Sequence, residues 1–140
     1  MFTLNAVAQE QKIKRSELPA AVEKTVAAQS QGAVVKGFSR EKENGQTYYE
    51  AEMSVNGHSK DVLIDEAGQI VEVEEQVAIE SLPSEVKEGL QAKAGEGKIL
   101  KVESITKHEK LVAYEAQVNT EGKKSEVQVG PDGNPLDHGE

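Results

Sequence analysis

The chain has 140 residues, 25 Asp or Glu against 16 Lys or Arg, and a net charge of −9. It is long enough for one domain or two small ones. Its acidic balance excludes a phosphate-binding face and so argues against nucleic acid as a partner. No apolar run approaches the ~20 residues that span a bilayer, and the absence of Cys removes disulfides, thiolate metal sites and Cys nucleophiles.

Val, Ile, Leu and Phe number 32, about 23% of the chain. That is just above the roughly 20% below which chains tend to stay disordered, so a thin core is expected. Five aromatics and no Trp make a large aromatic pocket improbable. The acids are 21 Glu and 4 Asp. Glu suits solvated surfaces, whereas Asp favours tight turns and Ca²⁺ loops, so the excess reads as a solubilising surface.

At the start, Ala6-Val7-Ala8 has the small-x-small form of a signal-peptidase site. The apolar stretch before it is short and no basic region precedes it. Residues 1–15 are read as a leader, the remnant of a signal peptide.

A repeat follows. Leu18-Pro19 recurs as Leu82-Pro83. With one inserted residue, Lys36, Ser39, Lys42, Tyr49, Glu50, Ala51, Gly57, Val62 and Gly68 match Lys101, Ser104, Lys107, Tyr114, Glu115, Ala116, Gly122, Val127 and Gly133. The chain divides into 16–79 and 80–140, two copies of one unit.

Each copy opens on a Pro suited to a first helical turn. Leu18, Val22 and Val26, and likewise Leu82, Val86 and Leu90, make one apolar stripe each. The helices should stop near Gly32 and Gly95-Glu96-Gly97. Strands are expected over Ala33–Glu43, Gln46–Val55, Lys60–Asp65 and Ile70–Val77, with Asn44-Gly45 and Asn56-Gly57 as hairpin turns. The second copy repeats this, with Glu121-Gly122 and Asp132-Gly133 as turns. The expected fold is α+β: two tandem repeats, each a short helix packed on a four-stranded antiparallel sheet. The two units could join edges or share a core, which would hide strand edges.

Leu-Pro before a short helix, then Tyr-Glu-Ala, then Val62, Ile64, Asp65, Gly68 and Ile70 resembles the PepSY-like domain. The second copy matches at Leu82, Pro83, Tyr114, Glu115, Ala116, Val127, Val129 and Gly133, but Gly130 stands where the first has Asp65. The likeness runs from Ser16 to Leu136. It implies an exported bacterial protein, periplasmic or secreted, related to domains thought to restrain peptidases. The paired arrangement also resembles the beta-lactamase inhibitory protein fold, whose two repeats form a concave sheet that grips an enzyme; this is an analogy of fold.

Motifs for chemistry fail one by one. His58, His108 and His138 form no His-x-x-x-His or His-Glu-x-x-His. Gly95-Glu96-Gly97-Lys98 lacks the first Gly (Ala92 stands there) and the Ser or Thr (Ile99) of a Walker loop. Asp132–Asp137 departs from a calcium loop at Leu136 and Pro135. Ser59-Lys60 and Ser84-x-x-Lys87 are chance dyads, and no Gly-x-Ser-x-Gly occurs. The pairs Glu50/Glu52 and Glu72/Glu74 share a strand face that alternation makes wet. No catalytic residue, metal ligand or cofactor is assigned.

Two aromatics have no counterpart in the other copy: Tyr48 faces Ala113 in the alignment and Phe38 faces Glu103. Tyr48, Phe38, Glu50 and Glu52 are the candidate binding residues, with a core role for the two aromatics as the competing reading. The expected function is non-enzymatic binding of a protein partner, a peptidase or other envelope enzyme, through the open sheet face. The alternative is an acidic sensor of ions or small ligands in the cell envelope.

Overall fold

A computed structural model describes residues 9–136. The leader triplet Ala6-Val7-Ala8 and His138 lie outside them. The elements in chain order are β1 (Gln9–Ile13), α1 (Ala20–Gln29), β2 (Val34–Glu43), β3 (Gln46–Val55), β4 (His58–Asp65) and β5 (Ile70–Val77). Then come α2 (Ser84–Ala94), β6 (Lys98–Lys107), β7 (Lys110–Thr120) and β8 (Lys123–Val129). A one-turn 3₁₀ helix precedes each α-helix, at Arg15–Glu17 and Ile79–Ser81.

The strands lie in sequential order in one eight-stranded antiparallel sheet. This corrects the expectation of two tandem repeats, each a short helix packed on a four-stranded antiparallel sheet. A strand without a neighbour leaves a row of backbone donors and acceptors unpaired, and joining successive strands removes two such edges. Among the described residues, the second half has three strands after its helix, β6, β7 and β8. After β8 the described chain makes one isolated bridge, Val129 to Pro135, where Pro131 and Pro135 have no N–H to extend a ladder.

By compactness the chain falls into two units, Met1–Glu74 and Glu75–Glu140. In the first, α1 buries Val22 and Val26 against Phe38, Tyr49, Ala51, Met53, Val62 and Ile64. In the second, α2 buries Val86 and Leu90 against Leu82, Val102, Ala116, Val118 and Val129. Both pairs are the i, i+4 stripe expected from the sequence.

Two matched glycines allow each helix to sit close to a turn. Gly68 has φ 85°, and a Cβ there would lie 2.6 Å from the Ala21 carbonyl oxygen. Gly133 has φ 83°, and a Cβ there would lie 2.1 Å from the Glu85 carbonyl oxygen. Only glycine satisfies both the left-handed backbone and the space.

β1 was not anticipated. Gln-Glu-Gln-Lys-Ile carries one apolar residue and no alternation, yet it pairs antiparallel with β2 along its full length, from Gln9 opposite Lys42 to Ile13 opposite Phe38.

Candidate functional site

The two hairpins of the first unit set the register of its central strands. Asn44-Gly45 and Asn56-Gly57 both take left-handed backbones, with φ of 52° and 77° and of 51° and 83°. Such pairs form the two-residue turns whose twist matches that of the flanking strands. As a result Tyr48 of β3 lies opposite Glu41 and Asp65, Glu50 opposite Ser39 and Leu63, and Glu52 opposite Gly37 and Asp61. Alternation then puts Tyr49, Ala51 and Met53 on the helix side and Tyr48, Glu50 and Glu52 on the open side.

Three of the four candidate residues therefore share a face. Tyr48 is half-buried there, and its hydroxyl donates to Gln46 Oε1. Glu52 is half-buried and Glu50 is buried. Phe38 lies elsewhere: it pairs with Ala51, packs in the helix-side core, and carries the Arg15 guanidinium 5.9 Å above its ring.

The open face of the first unit is strongly acidic. By register, β1 to β4 present Glu10, Glu41, Glu43, Glu50, Glu52, Asp61 and Asp65 on it, together with Lys12. Part of this face is dry. Glu41 is 2% exposed and Glu50 is 3% exposed. On β5, Glu72 and Glu74 are buried as well. The wet face expected for Glu50, Glu72 and Glu74 is thus corrected.

Burial raises both central carboxyls. Glu41 is pushed up to about 7, first by desolvation and then by Glu10, Glu43 and Glu74. Glu50 is pushed up to about 9, first by desolvation and then by Glu41, Asp61 and Glu52. One oxygen of each, Oε2, is buried without a hydrogen-bond partner. Glu41 escaped the sequence reading altogether. The signal was Val62-Leu63-Ile64, three apolar residues in a row on one strand. Leu63 points to the open face and is 3% exposed, so that face had to be dry there.

The second unit treats its buried acids differently. Glu115 holds the register position on β7 that Glu50 holds on β3, and opposite it on β8 stands Gln128 rather than Leu63. The Gln128 amide donates to Glu115 Oε2 at 2.7 Å. Glu103 is buried beside the Lys101 ammonium, 3.8 Å away. Among the described residues, the buried carboxylate oxygens without a partner lie in the first unit, at Glu41 and Glu50.

The same architecture occurs in solved structures. A protein of Bacteroides eggerthii, assigned provisionally to the periplasm, matches with TM-score 0.68 and 18% identity over 85% of this chain and 86% of its own. A DUF2874 family protein from Bacteroides ovatus matches with TM-score 0.65 and 20% identity over 85% and 84%. A BLIP-like protein from Bacteroides fragilis matches with TM-score 0.62 and 18% identity over 85% and 83%. The chain has a BLIP-like fold. No family model and no curated protein matches the sequence.

The remaining sequence motifs have plain structural uses. Gly95 takes φ 60° and its N–H bonds the Gln91 carbonyl, which ends α2. Asp132 accepts bonds from the Asn134 backbone and side chain at 3.0 and 2.9 Å, which closes a turn. His58 begins β4 and His108 sits in the β6–β7 turn, both exposed. Among the described residues no helix is long and apolar enough to cross a membrane.

Proposed function

We propose that this is a non-enzymatic, periplasmic binding module that holds a partner protein against the open face of its first unit. The observation that carries the proposal is the convergence of Tyr48, Glu50 and Glu52 on one acidic face with a half-exposed aromatic. Aromatic anchors beside charge are what protein interfaces use for affinity and steering. Export is supported by the Ala6-Val7-Ala8 triplet and by the provisional periplasmic assignment of the B. eggerthii protein. The BLIP-like neighbour supports an enzyme as the partner, a peptidase or another envelope enzyme with a basic surface. The reading takes residues 16–79 and 80–140 as two PepSY-like sequence copies.

The test is titration of the protein against purified periplasmic peptidases and beta-lactamases, with inhibition and direct binding as readouts. Tyr48→Ala should weaken binding by about tenfold or more and leave the melting temperature nearly unchanged. Binding should weaken as salt rises from about 0.05 to 0.5 M. Equal losses of binding and stability in Tyr48→Ala would show a packing role, and no binding across the panel would overturn the enzyme partner.

A further inference from the structure

We propose that Glu41 and Glu50, with Ser39 beside them on the same face, form a binding site for a divalent metal cation on the open face of the first unit. The proposal goes beyond the protein-binding reading and does not depend on it.

Register brings the donors together. Ser39 on β2 lies directly opposite Glu50 on β3, and Glu41 is two residues further along β2 on the same face. Glu41 and Glu50 are therefore diagonal neighbours, within reach of each other for long side chains. Glu41 is one cause, after burial, of the raised Glu50 carboxyl. Glu10 on β1 stands opposite Glu41 and adds to the negative charge around it. The set is all oxygen, the chemistry of Ca²⁺ and Mg²⁺ sites.

Three observations point to a ligand beyond the clustering of acids. The Oε2 atoms of Glu41 and Glu50 are buried and unpartnered, and buried polar atoms are as a rule bonded. Lys12, the base that the register puts beside Ser39 on this face, is exposed and does not satisfy either atom. In the second unit the matching Glu115 has Gln128 as its donor, so the fold has a way to satisfy this position without an ion and does not use it at Glu50, where Leu63 stands instead. Binding the ion releases the Glu50 proton to solvent, and the two carboxylates then balance its charge of +2. Both Oε2 atoms are closed to solvent, so a small bare ion suits them better than the long side chain of a partner's lysine.

The test is thermal unfolding of the full chain at neutral pH with CaCl₂ or MgCl₂, against NaCl of equal ionic strength. One of the two should raise the melting temperature by roughly 5 to 10 °C at a hundred times its Kd. Glu41→Gln with Glu50→Gln should abolish that rise, and Glu115→Gln should keep it. Terbium(III) bound in the site and excited through Tyr48, opposite Glu41, should emit, and Ca²⁺ should quench the emission by competition. Should the double variant fail to fold, Ser39→Ala must weaken terbium binding instead. Equal effects of NaCl and the divalent salts, or an unchanged rise in the double variant, would overturn the site. Stabilisation by acid alone, with none by metal, would overturn it too and make the pair a site for a proton.

Discussion

Glu50 decides more about this protein than any other single side chain. Its carboxyl is raised to about 9 by burial and by Glu41, Asp61 and Glu52. In the unfolded chain it titrates in the ordinary range near 4.5. The native state therefore keeps a proton that the unfolded state has lost, so stability falls as pH rises from about 4.5 and goes on falling through 9. Glu41 adds the same trend up to about 7. In metal-free buffer, Glu50→Gln should leave the melting temperature unchanged at pH 4 and raise stability by roughly 2 to 4 kcal/mol at pH 9. Urea unfolding at the two pH values checks this, and a loss at pH 9 would show that the ionised form is favoured. Tyr48 belongs to the same scale: half-buried and bonded to Gln46, it can be truncated without opening the core that Tyr49 fills from the other side.

Elements whose residues carry a clear period were legible before the structure. β3 and β5 fall on their expected bounds, Gln46–Val55 and Ile70–Val77, because Asn-Gly turns and alternation mark them. Both helices start just after their Leu-Pro pairs and bury the expected stripes. β1 was hidden because an edge strand needs no apolar face. The candidate site was half legible: alternation placed Tyr48, Glu50 and Glu52 together, but a binary pattern reads every Glu as wet and so missed Glu41 and the burial of Glu50. Closeness between helix and turn was visible only as a matched glycine, and it makes a graded prediction. Gly133→Ala should cost about 3 kcal/mol or more, since φ 83° and a 2.1 Å approach both forbid a Cβ. Gly45→Ala, with φ 77° but open space around it, should cost about 1 kcal/mol. Leu90→Ala, fully buried on α2, should cost roughly 2 to 5 kcal/mol. Chemical denaturation ranks the three, and Gly45→Ala matching Gly133→Ala would refute the close-approach argument.

At the scale of the whole chain, the −9 charge sets how the protein meets others. It should speed association with basic surfaces and slow it with acidic ones, an effect that salt removes. Stopped-flow rates against salt would check this with any partner found, and a salt-independent rate would argue that contact is apolar. The order of strands then limits where contact can occur. β1 and β8 are outermost in the sheet, and they are its most polar strands: Gln9 to Lys12 and Lys123 to Glu126 are all exposed. A visiting peptide that zips itself onto a sheet needs a long, bare, greasy border. This molecule offers short borders studded with charge, so it cannot readily be extended by another strand, its own copies included. The strand borders at Gln9–Ile13 and Lys123–Val129 therefore resist pairing, and contact is left to the faces of the strands.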